Sequence, residues 1–146
     1  MKLHDDIKMT GRLSIRLYDK FGNLKDSRDI DNLVVTAGKT FIAARMVGVP
    51  TAMSHMALGS GAVAPAAGDT TLGTELGRAA LSSGTSAGAV ATYAASFAAG
   101  VGTGAVTEAG IFNASVAGTM LARTTFAVVN KGASDSMTVS WAVTVG

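Results

Sequence analysis

No cysteine occurs among the 146 residues. That excludes a disulfide framework and any zinc–thiolate site, so burial, backbone pairing or neighbouring subunits must hold the fold. Histidine is confined to His4 and His55, and the aromatic residues are one Trp, two Tyr and five Phe. Charge is scarce over most of the chain. Through Arg45 there are nine Lys or Arg and six Asp or Glu, whereas the remaining 101 residues carry only Asp69, Glu75, Arg78, Glu108, Arg123, Lys131 and Asp135. A soluble monomer normally keeps charge on about a quarter or more of its surface. So neutral a stretch predicts an outer face that meets protein rather than water. The formal net charge of +2 is too small to predict a nucleic-acid partner. From Ala79 to Thr107 no residue is charged, but the run is mostly Ala, Gly, Ser and Thr with little Leu or Ile. Its glycines would interrupt a lipid-facing helix, which argues against a membrane span of the usual ~20 apolar residues. The opening MKLHDDIKMTGR lacks the apolar core of a signal peptide or anchor, and synthesis in a reducing cytoplasm is the expectation.

What the chain does contain is a succession of strand patterns. In GRLSIRLYD, Leu13, Ile15 and Leu17 alternate with Arg12, Ser14, Arg16 and Tyr18, the period of a half-buried strand. Asp19 to Asn23 form a turn in which Gly22 and Asn23 tolerate positive φ, and a second strand follows through Leu24 to Val35, making a hairpin. Thr36 can cap a helix over residues 37–47, with Phe41, Ile42, Arg45 and Met46 at helical spacing, before Gly48 and Pro50 end it. A short strand around Met56 and Leu58 precedes a Gly/Ala/Pro loop, GSGAVAPAAGD. Further strands are predicted in GAVATYAASFAAG, AVTEAGIF, TMLARTTF and SMTVSWAVTV. Strands at such spacing, with one early helix and no crossover helices, predict an all-β fold, an antiparallel β-sandwich or jelly-roll-like architecture. The expected organisation is an N-terminal arm over residues 1–10 and one domain over residues 11–146.

Several segments imitate chemical motifs. GTSAG, Gly84 to Gly88, matches the G-x-S-x-G pattern that presents a nucleophilic serine. That chemistry needs a helix after Ser86 and an acid and a histidine later in the chain. Both histidines precede Ser86 and the following residues read as a strand, so Ser86 is expected to be an ordinary loop serine and the chain not to be an enzyme. GVGTG, with Gly100, Gly102 and Gly104, lacks the Lys-Ser/Thr and the helix start of a phosphate cradle and reads as turn glycines. The acids of HDD (His4 to Asp6) and DIDN (Asp29 to Asn32) lack the spacing of a calcium loop, and His55 has no companion ligands, so neither a metal nor another cofactor is expected. Asn113 opens a glycosylation sequon that has no meaning without a secretory route. Trp141, among Met137, Val139 and Val143, is expected in the core rather than on a ligand-stacking surface. Glu108 and Arg123 are isolated charges in neutral strands, and an ion pair between neighbouring strands is the expectation.

EAGIFNA (Glu108 to Ala114), GTMLARTTF (Gly118 to Phe126) and NKGASDSMTVSWAVTV (Asn130 to Val145) resemble a family of small structural proteins of tailed bacteriophages. The N-terminal GRLSIRLYDKFGNLKDSRDIDNLVVTAGKTFIAARMVG is similar to the same group. The resemblance implies a virion component without an active site. The small size and the lack of a shaft or appended adhesin favour a capsid cement, or decoration, protein on the capsid surface, binding the major capsid protein and copies of itself. The alternative is a tail, baseplate or tail-fibre component, with carbohydrate receptor binding as one role. Met1, Lys2, Leu3, His4, Asp5 and Asp6 of the charged arm are the candidate capsid contacts.

Overall fold

In the computed structural model, which describes residues 7–146, the alternation of the first strand is carried through β1 (Met9–Tyr18). Leu13, Ile15 and Leu17 turn inward and lose nearly all solvent contact. Met9 and Thr10 pair with Val145 and Thr144, so the last two residues expected in the N-terminal arm belong to the barrel. The Asp19 carboxylate then accepts hydrogen bonds from the N–H groups of Phe21 and Asn23, and Gly22 takes φ +84°, which reverses the chain into β2 (Leu24–Val34). Helix α1 (Thr36–Arg45) follows. Thr36 is its first residue and not its cap: Val35 holds the cap position, and the Thr36 N–H donates to the Ala67 carbonyl at 2.8 Å.

The remaining elements are β3 (His55–Gly59), β4 (Glu75–Ala87), β5 (Val90–Phe97), β6 (Gly104–Phe112), β7 (Met120–Lys131) and β8 (Ser136–Val145). Among the described residues the fold is antiparallel β with one short helix. Its strands close into a barrel in the order β1-β2-β7-β6-β3-β4-β5-β8. Closure depends on two strands that change neighbours. β4 pairs with β3 from Glu75 to Ala80 and with β5 from Leu81 to Ala87, bending where the register shifts between Leu81 and Ser83. β2 pairs with β1 along its length but meets β7 only through Leu33 with Arg123 and Val34 with Ala122.

The interior is filled by side chains from every strand. Ile30, Leu13, Trp141 and Tyr93 lie directly opposite one another across β2, β1, β8 and β5. Trp141 is fully buried and donates its indole N–H to Asn32 Oδ1 at 2.7 Å. Gly11, opposite Asn32, leaves the room: a Cβ there would sit 1.8 Å from Asn32 Oδ1. Outside the β3–β6–β7 wall, Val35, Ala57, Leu72, Phe112 and Met120 form a second, smaller cluster beneath the segment joining β3 to β4.

Helix α1 lies against the backbone of β7, where Gly38 is the point of closest approach. A Cβ on Gly38 would fall 2.1 Å from the Leu121 carbonyl oxygen. Because backbone cannot yield as a side-chain tip can, Gly38→Ala is expected to lose about 1–3 kcal/mol through displacement of the helix. Urea unfolding followed by circular dichroism measures that loss.

Candidate functional site

The expected cross-strand charges are the centre of the most elaborate polar arrangement among the described residues. Glu108 on β6 and Arg123 on β7 face outward from the barrel wall, yet both are buried, with Glu108 at 0 % exposure, because residues Ser60 to Thr74 lie over them. Arg123 Nη2 and Nε donate to Glu108 Oε2 at 2.8 and 3.0 Å. The other acceptor positions of the carboxylate are filled by the N–H groups of Gly61 at 2.8 Å, Gly73 at 3.0 Å and Thr74 at 2.8 Å. Arg123 continues to Asp69 Oδ2 at 2.8 Å and to the Val63 carbonyl at 3.0 Å. One carboxylate and one guanidinium thus hold both ends and the middle of the loop against the sheet.

Glycine makes this closeness possible. A Cβ on Gly59 or Gly61 would come within 2.5 Å of Glu108 Oε1. Burial alone raises the Glu108 pKa, but the donors from Thr74, Gly73, Arg123 and Gly61 outweigh it, and the carboxyl lies below its ordinary value. Burial likewise disfavours the Arg123 cation, and hydrogen bonds to Glu108 and Asp69 more than restore it, leaving its pKa raised. Asp69 lies below its ordinary value chiefly through the Ala66 N–H, with Arg123 adding to the effect against a smaller cost of burial. With both carboxylate oxygens of Glu108 occupied by protein donors, the arrangement acts as a fastening and offers no free ligand to a substrate or ion.

Beside it lies a cleft of about 400 Å³ lined by Thr70, Leu72, Glu75, Arg78, Phe112 and Gly118. Arg78 stacks over Phe112 at 3.9 Å, pairs with Glu75 at 2.6 Å and donates to the carbonyls of Ala114 and Ala117. These contacts hold the turn between β6 and β7, in which Ala117 takes φ +54°. At the opposite end of the barrel, buried Lys131 donates to the Ala98 and Asp135 carbonyls at 2.9 and 2.7 Å, and its pKa is lowered by burial. Asp135 meanwhile accepts from Lys25 at 2.7 Å.

No protein-family model, curated protein or solved structure matches the chain. The site must therefore be read from its own geometry. Ser86 is an exposed residue of strand β4, paired with Ala91 next to the Gly88–Ala89 turn, rather than a loop residue; β5 follows it and no helix does. His55 begins β3 and its Nδ1 is engaged by Ser54 Oγ at 2.8 Å. Gly100, Gly102 and Gly104 all have positive φ where β5 turns into β6. Asp29 and Asp31 are exposed on β2 and lie near Arg16 and Arg12. Asn113 ties its own turn together, accepting from the Thr119 N–H at 2.7 Å. Met1, Lys2, Leu3, His4, Asp5 and Asp6 lie outside the described residues. Sequence reasoning missed Asp69 and the three amide donors, since nothing local ties a loop glycine to a glutamate some 35 to 47 positions away.

Proposed function

We propose that the chain is a structural protein of a tailed-bacteriophage virion, a capsid cement protein that binds the assembled head and stabilises it through contacts between subunits. It carries out no catalysis in this reading, and its partners are the major capsid protein and further copies of itself. The supporting observation is the distribution of exposed apolar side chains. Met46, Val47 and Val49 after α1 and Val116 in the β6–β7 turn are each largely solvent-exposed, as is Ile7 where the chain enters β1. Strand directions put all of them at the same end of the barrel. Phe21 and Leu24 are exposed at the opposite end and Val63 in the loop over β6 and β7, but the larger group sits at the α1 end, and such a group suits a surface that meets protein. Ile7 to Thr10 line a pocket with Lys39 of α1 at this end, and the proposed capsid contacts Met1 to Asp6, which lie outside the described residues, precede Ile7 in sequence.

The charged outer positions of β1 and β2, with an apolar interior, are the reverse of a lipid-embedded barrel and suit a surface in water. The sandwich-like or jelly-roll-like description belongs to this reading as well: β2 and β4, each shared between two neighbours, act as the corners at which one sheet passes into the other. A protein that binds only the assembled geometry stabilises it by mass action. Electron microscopy of virions with gold-labelled antibody should place label over the heads. Label confined to tails would replace this reading with a tail or fibre role. Deleting Met1 to Asp6, which spares the bond from the Gly146 N–H to the Lys8 carbonyl, should lower capsid occupancy while leaving the thermal unfolding midpoint unchanged. Unchanged occupancy would remove the arm from the docking face.

A further inference from the structure

Between β2 and β7 the barrel wall is closed at one end only. Beyond Leu33 and Val34 the two strands separate, and from Leu24 to Asp31 no strand among the described residues lies along the edge of β2 that faces away from β1. From Asp26 to Asp31 the backbone groups on that edge belong to the odd-numbered residues, and a bulge at Lys25 interrupts the alternation before Leu24. The Val35 N–H donates to the Leu121 carbonyl of β7, and the Asp31 carbonyl accepts from Thr124 Oγ1 at 2.9 Å. The Ser27 N–H is capped by Asp26 Oδ1 at 2.7 Å and the Ser27 carbonyl by Arg28 Nη1 at 3.4 Å. An uncovered strand edge is a template for another strand.

The sequence of this edge is complementary to itself. Turned round about Ser27, LKDSRDI sets Leu24 opposite Ile30, Lys25 opposite Asp29 and Asp26 opposite Arg28, with Ser27 opposite itself. We propose that two copies of the chain pair antiparallel along this edge, with the two-fold axis at Ser27, so that the β1–β2 sheets of two barrels become continuous. The partner is a second copy because Asp26 then faces Arg28 of the other copy twice, on either side of the axis, and directly opposed charges decide cross-strand pairing. Neighbouring registers fail the same test. Centring the axis on Asp26 sets that carboxylate against its own copy, and centring it on Arg28 does the same for the guanidinium. Registers between these would oppose edge-facing backbone groups to groups already committed to β1.

In the separate chain Asp26 and Arg28 pair with each other, and Arg28 reaches the Val128 carbonyl at 3.4 Å. Association exchanges these contacts for Asp26 with Arg28 of the second copy, twice, and for reciprocal Ser27 N–H to carbonyl bonds across the axis. Lys25 is already held by Asp135, and Asp29 by Ser14 and Arg16, so the central Asp26 and Arg28 set the register. Charged side chains on the inward face of an edge strand also repel unlike strands, which confines the edge to its own complement. The inference concerns how copies meet and holds whichever virion surface they cover.

Light scattering on the full chain tests it. The expected mass corresponds to an even number of 14.6 kDa chains. Ser27→Pro removes an N–H that points away from β1 and should halve that mass with the circular dichroism spectrum retained. Asp26→Arg and Arg28→Asp should each halve it alone, because like charges then face across the axis, and a mixture of the two variants should recover the full mass. A monomeric or odd-numbered wild type, a Ser27→Pro variant of unchanged mass, or charge variants that stay apart when mixed would each overturn the pairing. Should Ser27→Pro fail to fold, the mixing experiment decides.

Discussion

Replacing Glu108 with alanine is expected to remove about 3–5 kcal/mol of stability, because it leaves a buried guanidinium without its main counter-charge. The loss extends beyond the ion pair. Gly61, Gly73 and Thr74 would each keep a buried N–H with no acceptor, and an orphaned donor costs about 1–3 kcal/mol where water cannot reach it. Arg123→Ala should cost less, since the carboxylate would retain its three amide donors. The double variant should lose less than the two single losses together, by a coupling of about 0.5–3 kcal/mol for groups in one network. Urea unfolding of the four proteins measures all of these. Acid should act on the same contact. Glu108 has a folded-state pKa below that of the unfolded chain, so its contribution is complete above the unfolded value and is lost as pH falls through the folded one. The wild type should therefore lose stability more steeply than Glu108→Gln on acidification below about pH 4. Parallel acid-side slopes would show that the carboxylate does not carry the fastening.

Trp141→Ala should cost a similar amount, about 3–5 kcal/mol, as expected when a fully buried indole is removed. Trp141 occupies the middle of the row that joins β2, β1, β8 and β5, so the cavity would open between strands whose closure depends on that row. Trp141→Phe separates packing from hydrogen bonding. The ring is largely kept, but Asn32 Oδ1 loses its one donor among the described residues, where Asn32 Nδ2 is already buried without a partner. A loss of about 1–3 kcal/mol is expected from the unsatisfied oxygen. Indole fluorescence follows the wild type, which has a single tryptophan, and circular dichroism follows the variants. A Trp141→Phe variant as stable as wild type would show that the Asn32 contact contributes nothing.

Legibility from sequence followed the strength of the alternation. β1 and β8, with apolar residues at every second position, could be read directly, and Trp141 is in the core where its neighbours put it. β4 could not be read, although it is the longest strand, because Glu75 to Ala87 lies half-exposed on both faces and has no apolar period to detect. Ser86 at its exposed end accordingly read as a loop serine, and the strand predicted from Gly88 begins only at Val90, after the Gly88–Ala89 turn. Scarcity of charge proved informative in an unexpected way. Each of the seven charged residues after Arg45 makes an ion pair or a hydrogen bond within the chain, as the cost of stranding a charge in a weakly hydrated wall demands.

By itself the sequence determined most of the antiparallel strands, the hairpin turn, the helix over Thr36–Arg45 and the self-complementary charges of Leu24 to Ile30, because each depends on neighbours a few positions apart. Only the tertiary structure decided that the strands close into a barrel, that a distant loop buries Glu108 and Arg123, and that no described strand pairs with the Leu24 to Asp31 edge. Those outcomes depend on which strands meet, and long-range pairing is set by the packing of the whole interior, to which no local pattern has access.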